Sequence, residues 1–223
     1  LGPSGSGKST LLRIIADLLQ STSGEVLIGG KAPREIRNEK KYGIVFQNPV
    51  LYEWRKIKDN VALPLELMKV GKKERQKKSE ELLSLVGLDD FQNCYPRELS
   101  GGMQQRVSIA RALATDPEIL LMDEPFSALD EFSREKMNEE ILRIWSKTNK
   151  TVIFVTHSIQ EAVFLSDRVC VLTPHPGRLS TIMDIPLKRP RTRDLRDTQE
   201  FHRLGSEIRN CFGEERGPGE ERQ

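Results

Sequence analysis

Long apolar runs are missing from this sequence, and no stretch approaches the roughly 20 residues that a membrane-spanning helix needs. Cysteine is scarce, and Cys94, Cys170 and Cys211 are far apart and form no C-x-x-C pair. This usage favours reduced thiols in a cytoplasmic protein over disulfides, metal binding or redox chemistry. The net charge of +2 is too small to favour nucleic acid as the main partner. The sequence is 37% hydrophobic and 30% charged, which is typical of a globular protein. Its 223 residues are enough for one large domain or for one domain with an inserted subdomain.

A phosphate-binding motif opens the chain, because the stretch from Gly2 to Ser9 matches G-x-x-x-x-G-K-[ST]. Glycines let successive N–H groups point into one concavity, and a helix that begins near Gly7 directs its positive end at the anion. Lys8 could then bind the β- and γ-phosphates, and the Ser9 hydroxyl could bind Mg²⁺. A flexible Gly/Ser turn is the alternative. The predicted nucleotide-binding residues of this loop are Gly2, Pro3, Ser4, Gly5, Ser6, Gly7, Lys8, Ser9 and Thr10.

Apolar patterns predict an α/β core with a mostly parallel sheet flanked by helices. The predicted strands are residues 25–28, 42–46, 119–122, 151–155, 168–172 and 179–185. The predicted helices are residues 8–19, 74–86, 103–114, 133–147, 158–165 and 198–211. The region at about 48–112 is charged and short of strand patterns, so we expect a helical subdomain inserted into the core. Residues 213–223 contain almost nothing apolar, which favours a disordered tail.

Polar side chains follow three of these predicted strands: Gln47, the pair Asp123 and Glu124, and His157. Because ligands of open α/β sheets lie beyond the carboxyl ends of the strands, we expect these side chains to meet the phosphate loop there. Asp123 suits Mg²⁺, and Glu124 suits a general base for the attacking water. His157 could donate a hydrogen bond to the γ-phosphate, and Gln47 could contact both the metal and the attacking water. Taken singly, Gln47 also fits a solvated loop, Asp123 a helix cap and His157 a core histidine.

A second glycine-containing helix start lies at residues 99–105, Leu-Ser-Gly-Gly-Met-Gln-Gln. A hydroxyl and two glycines before a helix form an anion site of the same kind, although Ser-Gly-Gly is also an ordinary N-cap turn. The first loop already surrounds the phosphates of one nucleotide from one side. The second loop therefore suggests a site for a nucleotide held by another molecule.

These motifs, together with Ser-Ala-Leu-Asp at residues 127–130, resemble those of ATP-binding cassette (ABC) ATPases in order and spacing. The resemblance extends to about residue 185. Residues 123–130, 156–162, 166–169, 174–178 and 186–193 are most similar to the nitrate, sulfonate and taurine import group. The resemblance implies an ABC ATPase fold over residues 1–212, in which a P-loop NTPase core carries the inserted α-helical subdomain.

The resemblance further implies a two-subunit ATP sandwich. One copy would hold Mg-ATP with its phosphate loop and would hydrolyse it with Glu124, His157 and Gln47. Its metal ligands would be Ser9, Gln47 and Asp123. The second copy would close the site from the other side, and the residues on that side and at the dimer seam are Ser100, Gly101, Gly102, Gln104 and Asp130.

A membrane permease is the other implied partner, with a solute-binding protein as an indirect one and no nucleic acid. The chain would be the ATPase that energises uptake of a small anion such as nitrate, sulfonate or taurine, located in the cytoplasm on the inner face of the plasma membrane. The helical region with Tyr52 and Trp54 would receive the permease, although ordinary packing also fits these aromatics. The C-terminal basic run fits either lipid headgroups or a solvated linker, and its members are Lys188, Arg189, Arg191, Arg193 and Arg196.

Two departures from the family pattern stand out. Met103 replaces a common Gln, and the strands and adenine-stacking aromatic that precede the loop in family members are not in this sequence. We therefore expect a fragment that folds poorly and binds ATP weakly. Two alternative functions stay open: a non-catalytic nucleotide-binding fragment, and an ABC-type ATPase with a role outside transport. The motifs do not specify the solute, since selectivity lies in the permease and its binding protein.

Overall fold

The computed structural model describes residues 1–174 and 176–212. The chain divides into two compact units, one made of Leu1–Lys8 with Thr156–Gln223 and the other of Ser9–Val155. Within the described residues, no helix has the length and apolar character that crossing a membrane requires. The sequence Pro-His-Pro-Gly at residues 174–177 predicts a tight turn before the last strand. His175 of this turn and the predicted tail at residues 213–223 lie outside the described residues.

Three parallel strands form the sheet of the Ser9–Val155 unit, in the order β1-β2-β3. They are β1 (Tyr42–Val45), β2 (Ile119–Asp123) and β3 (Thr151–Val155). The register pairs Val45 with Met122 and Asp123 with Val155, so the strands end at one edge. The central strand is buried from Leu120 onward, as expected for an apolar run covered on both faces.

Helix α1 (Lys8–Ile15) begins at the end of the phosphate loop, and its Leu12 lies in a core cluster with Leu121 and Val155. It ends four residues before the predicted end at residue 19. Asp17 has φ +55°, and the Leu18 N–H bonds back to the Arg13 carbonyl at 2.8 Å. This left-handed residue terminates the helix.

The remaining helices of this unit are α2 (Pro33–Asn38), α3 (Ile57–Leu67), α4 (Lys72–Leu85), α5 (Gly101–Leu113) and α6 (Glu131–Thr148). Short 3₁₀ turns occupy Asp89–Phe91 and Pro96–Glu98. Gly87 caps α4, with φ +65° and its N–H bonded to the Ser84 carbonyl at 3.0 Å. No strand lies between β1 and β2 along the chain. The subdomain bounds at about 48–112 stay a prediction.

The strand predicted at residues 25–28 is wrong. A single antiparallel bridge joins Ile28 to Lys31 across Gly29 and Gly30, whose φ angles are +57° and +80°. Residues 25–27 pair with no strand of the described chain. A strand pattern without a neighbouring strand gains no hydrogen-bond ladder, so the segment stays irregular.

The described residues of the other unit form an antiparallel strand pair and two helices. Its elements are α7 (Ile159–Leu165), β4 (Arg168–Leu172), β5 (Leu179–Asp184), a 3₁₀ turn at Arg193–Asp197 and α8 (Gln199–Asn210). The Leu1 carbonyl accepts the Leu172 N–H at 2.8 Å, and the Leu1 amino group donates to the Cys170 carbonyl at 2.8 Å. The phosphate loop therefore starts at the carboxyl end of β4.

The C-terminal basic run is not a uniformly solvated linker. Arg191 is only 6% exposed, and burial, followed by the charge of Arg189, lowers its pKa to about 10. For Arg191, the expectation of solvent or lipid headgroups is wrong. A run of basic residues does not show which side chain is buried, because a buried arginine needs only nearby carbonyl oxygens as hydrogen-bond partners.

Candidate functional site

The phosphate loop folds around the carbonyl oxygen of Pro3. This oxygen accepts hydrogen bonds from the Ser6 amide at 3.3 Å, the Ser6 hydroxyl at 2.9 Å and the Lys8 ammonium at 2.9 Å. Gly5 and Gly7 have φ angles of +80° and +83°, in the left-handed region that favours glycine. The loop is thus shaped by its own contacts, and Lys8 is 7% exposed within it.

Two glycines lie so close to Ser6 of this loop that neither position has room for a side chain. A Cβ on Gly2 would lie 2.6 Å from the Ser6 hydroxyl and 2.8 Å from the Leu172 carbonyl oxygen. A Cβ on Gly177 would lie 2.2 Å from the Ser6 carbonyl oxygen. Sequence reasoning identified Gly2 and missed Gly177, whose signal was its place in the predicted turn at residues 174–177.

Ser9 and Asp123 are brought together, as expected from the sequence. The Ser9 hydroxyl donates to Asp123 Oδ1 at 2.6 Å, and Asp123 ends the buried strand β2. Hydroxyl and carboxylate oxygens are hard ligands of the kind that Mg²⁺ prefers, and neighbouring ligands of an octahedral Mg²⁺ lie about 2.9 Å apart. The pair therefore fits this ion with a small widening.

No cluster of three or more His, Cys, Asp or Glu side chains within residues 1–174 and 176–212 forms a metal site.

Glu124 follows directly and has a strained backbone. Its φ of +44° is uncommon for a residue other than glycine. Its N–H bonds to the Val155 carbonyl at 3.0 Å, and its carbonyl accepts the Ser127 amide at 3.2 Å and the Ser127 hydroxyl at 3.0 Å. These contacts fix the backbone on both sides, so the carboxylate has a defined origin just beyond β2.

Gln47 is exposed two residues beyond β1, in a loop that helix α5 holds. The buried Gln105 donates to the Phe46 carbonyl at 3.1 Å. The Arg111 guanidinium donates to the carbonyls of residues 49–50 at 2.8 and 2.7 Å, and burial lowers its pKa. Neither Gln105 nor Arg111 was identified from the sequence. The available signal was a polar residue among the apolar positions of the predicted helix.

The second glycine-rich loop caps helix α5. The exposed Ser100 hydroxyl accepts the Met103 N–H at 3.4 Å. Among described residues, and apart from the chain neighbours and the helix's own backbone, no atom lies within 4 Å of a Cβ placed on Gly102, and a Cβ on Gly101 meets only a Leu129 methyl carbon at 3.8 Å. The N-terminus of α5 is therefore open on the side of these glycines.

Two other predicted ligands have structural contacts of their own. The Gln104 amide donates to the carbonyls of Pro96 at 3.0 Å and Leu99 at 3.3 Å, which shapes the loop from behind. Asp130 caps helix α6 by accepting the Ser133 N–H at 3.0 Å. Hydrogen bonding from Ser133 holds the pKa of Asp130 below its usual range. Sequence reasoning missed both roles.

His157 is exposed on a turn that the first turn of α7 holds. The Thr156 hydroxyl donates to the Glu161 carboxylate and accepts the Ser158 N–H at 2.9 Å. Ser158 in turn caps α7 by accepting the Glu161 N–H at 3.3 Å. The residues on both sides of His157 are thus tied to α7.

The structure places the predicted residues in both units. In the Ser9–Val155 unit, Gln47, Asp123 and Glu124 follow neighbouring parallel strands, and Ser9 contacts Asp123. Thr10 is exposed on α1. The other unit contains the loop from Gly2 to Lys8 and His157.

A glycine-rich loop that leads into a helix, followed by a serine bonded to the aspartate that ends a parallel strand, defines a P-loop nucleoside triphosphatase. Residues 1–127 match the ABC transporter family. This chain belongs to that family.

Several relatives are similar along most of their length. An uncharacterised ABC transporter ATP-binding protein of Methanocaldococcus jannaschii is 51% identical over 203 residues, which cover 91% of this chain and 75% of the relative. A taurine import ATP-binding protein of Rhizobium johnstonii is 48% identical, with coverages of 94% and 81%. An aliphatic sulfonates import ATP-binding protein of Bacillus cereus is 43% identical, with coverages of 91% and 79%.

Solved structures agree. An ATP-binding cassette, solved as a dimer in a post-hydrolysis state with ADP and Pi, is 36% identical and has a TM-score of 0.69 over 84% of both chains. A dimeric bacterial ABC transporter cassette is 37% identical with a TM-score of 0.70 over 84% of both chains. The chain is an ABC ATPase that binds and hydrolyses ATP, and the predictions of fold, family and activity are confirmed.

Proposed function

We propose that this chain energises an importer for a small anion of the sulfonate type, with taurine and nitrate as related substrates. The observation that carries the hydrolytic part is the 2.6 Å contact between the Asp123 carboxylate and the hydroxyl of Ser9, the last residue of the phosphate-binding motif. The names of the taurine and aliphatic sulfonate relatives support the substrate class.

The phosphate loop is proposed to bind the β- and γ-phosphates through its backbone N–H groups. Lys8 then turns from the Pro3 carbonyl to a phosphate oxygen, because an anionic acceptor makes the stronger hydrogen bond with an ammonium. Ser9, Asp123 and Gln47 are the proposed residues that hold Mg²⁺. When bound, this ion supplies charge neutralisation at the phosphates.

Hydrolysis is assigned to three side chains. A Glu124 carboxylate oxygen accepts a proton from the attacking water, whose oxygen bonds to the γ-phosphorus as the bond to ADP breaks. His157 donates a hydrogen bond to a γ-phosphate oxygen, and Gln47 orients the water. The fixed backbone of Glu124 supports this role, since a general base needs a defined position.

A second copy of the chain is the proposed partner at the nucleotide. Its Ser100, Gly101 and Gly102 are proposed to close on the γ-phosphate, with Gln104 shaping their loop and Asp130 at the seam. The open surroundings of Gly102 support this assignment, because a phosphate needs room at a helix N-terminus. The dimeric state of the similar solved cassettes supports it as well.

A membrane permease is the second proposed partner, which would place the chain on the cytoplasmic face of the membrane. A cavity of about 340 Å³ beside α3 and α4 includes Trp54, Asp59 and Arg75 in its lining. Trp54 is 73% exposed and lies 4.9 Å from Tyr52 between ring centroids. An exposed aromatic pair beside a charged cleft is better explained by a helix that docks there than by ordinary packing within the chain. A solute-binding protein would act through the permease.

Mg-ATP turnover by the purified chain tests the hydrolytic assignment. Glu124→Gln is expected to bind ATP, accumulate dimers and lose at least about a hundredfold in turnover, whereas the exposed control Glu139→Gln keeps wild-type turnover. Full hydrolysis by Glu124→Gln would place the base elsewhere. Lys8→Ala is expected to lose ATP affinity, and unchanged binding would contradict the phosphate-loop assignment. ATP binding by the wild type without turnover would favour the non-catalytic alternative.

A further inference from the structure

Two arginines after β5 cap the C-terminus of helix α7. An α-helix leaves its last four carbonyls without partners inside the helix. Here, Arg191 Nη1 donates to the carbonyls of Val163, Phe164 and Ser166 at 3.1, 3.0 and 2.9 Å. Arg189 Nη2 donates to the Leu165 carbonyl at 2.7 Å. The arginine cap, defined as Arg189 and Arg191, therefore satisfies all four carbonyls.

The arginine cap is built into the fold rather than resting on its surface. The Arg191 side chain is 0% exposed and also donates to the Leu187 carbonyl at 3.2 and 3.0 Å. Arg189 pairs with Asp167 at 2.9 Å, and Arg191 lies 3.8 Å from the same carboxylate oxygen. The negative end of the α7 dipole offsets part of the cost of burying these cations.

Helix α7 links the cap to His157. It has only seven residues and is about 10 Å long, too short to be stable by itself. Its stability therefore depends on the arginine cap, on the Ser158 cap at its other end and on packing against α8. In that packing, a Cβ added to Gly205 would lie 3.7 Å from Ile159, which is an ordinary van der Waals distance.

The first turn of α7 fixes the turn that carries His157. Glu161 is 5% exposed, and its carboxylate accepts from Thr156, the residue before His157. Ser158, the residue after it, is the N-cap of α7. A displacement of α7 would therefore move both neighbours of the imidazole.

We propose that Arg191, with Arg189, is a positioning residue for His157. The arginine cap fixes α7, and α7 fixes the turn at residues 156–158. The C-terminal segment thereby takes part in ATP hydrolysis although it lies outside the cassette motifs. This inference rests on the proposed function only in the role given to His157.

Steady-state kinetics test the proposal with Arg191→Met and the control Lys188→Met, which removes an exposed positive charge three residues earlier. Arg191→Met is expected to lower kcat about tenfold or more and to leave the KM for ATP within about twofold, because misplacing a catalytic group affects the chemical step. Lys188→Met is expected to change neither value.

A double-mutant cycle separates positioning from general stabilisation. If Arg191 acts through His157, Arg191→Met is expected to lower the residual kcat of His157→Ala no further. A second, additive loss of about tenfold in that background would overturn the proposal. The kinetic assays are run at a temperature at which urea titrations have shown that every variant is folded.

Histidine-ring NMR provides a readout that does not depend on turnover. The chain has 3 histidines, and the His157 signal is the one lost in His157→Ala. Arg191→Met is expected to shift or broaden this signal, and Lys188→Met is not. If Arg191→Met does not fold, Arg191→Lys replaces it, since it keeps the charge but loses the guanidinium fork. An unmoved His157 signal overturns the proposal. Absent turnover in the wild type overturns the proposed function instead, and the NMR result still decides the positioning.

Discussion

The two glycine-rich helix starts of this chain differ in what shapes them. The phosphate loop is closed by its own residues, because the Pro3 carbonyl collects bonds from Ser6 and Lys8 and a side chain on Gly2 has no room. The loop before α5 has a cap bond of 3.4 Å at Ser100 and open space around Gly102. The phosphate loop is thus held by contacts within this chain, whereas the loop before α5 has space on the side of its glycines.

Glycine therefore serves two purposes in one protein. At Gly2 it permits the close approach of backbone and hydroxyl atoms. At Gly102 it leaves room for a side chain at a helix N-terminus, where we propose that a phosphate binds. The first purpose is tested by stability, and the second by the activity of the assembled protein.

The largest expected effect comes from Gly2→Ala. The new methyl group would overlap the Ser6 hydroxyl and the Leu172 carbonyl, so the loop must shift. We expect the free energy of unfolding to fall by about 1–3 kcal/mol and ATP binding to be lost. Urea titration and equilibrium ATP binding measure the two effects. The control is Gly71→Ala, where nothing lies within 4 Å. Wild-type ATP binding by Gly2→Ala would remove the distinction between the loops.

Gly43→Ala tests whether the body of α5 is held as tightly as the phosphate loop. A Cβ on Gly43 of β1 would lie 2.3 Å from the Ala112 carbonyl oxygen of α5. We expect a loss of about 1–3 kcal/mol in unfolding free energy, because strand and helix must separate. Unchanged thermal and urea unfolding would show that α5 is loosely held along its length as well as open at its start.

Gly102→Ala is expected to spare the fold and impair the assembled site. Alanine in the first turn of α5 meets no atom outside its own helix and chain neighbours, and it favours helix by up to about 1 kcal/mol, so the unfolding free energy is not expected to fall. ATP binding to the single chain is expected to stay unchanged. Hydrolysis is expected to fall at least about tenfold, because the methyl group would stand between the helix N-terminus and the phosphate proposed to bind there. Wild-type turnover would argue against a phosphate at this loop.

The smallest effect concerns Tyr42, whose hydroxyl donates to the Ala16 carbonyl just after α1. Burial raises its pKa to about 12 from an ordinary value of 10.0. The raised pKa contributes stability that is complete below pH 10 and is lost as pH rises through about 12. Ultraviolet titration should show a phenolate step near pH 12 that Tyr42→Phe removes. Ionisation of Tyr42 near its ordinary pKa would show that the end of α1 is as open as the start of α5.

Apolar runs made β2 and β3 predictable from the sequence. Strand β2 is one residue longer than predicted, and its buried position explains its continuous apolar run. Strand β3 has the predicted bounds, although only its last residue is buried. The phosphate loop was predictable for a similar reason, since its chemistry requires fixed residue types at fixed spacing. The strand pattern at residues 25–28 failed because pairing depends on a neighbour that local sequence does not specify.

Contacts between distant residues were not predictable. Gly177 approaches Ser6, and Gln105 holds the carbonyl before Gln47, across gaps that no local pattern bridges. Arg191 resembled its solvated neighbours in sequence, although it is fully enclosed by carbonyls. In each case a backbone carbonyl or a missing side chain makes the contact, and neither is marked by residue type.

The left-handed backbone at Glu124 has a consequence for engineering this enzyme. Glycine or asparagine adopts φ +44° more readily, so either substitution relieves roughly 1 kcal/mol of strain while removing the carboxylate. Because Glu124 is the proposed general base, we expect a library selected for heat resistance alone to accumulate variants of low turnover at this position. Selection would then have to score turnover in the same round, since thermal stability and the proposed catalytic role favour different residues.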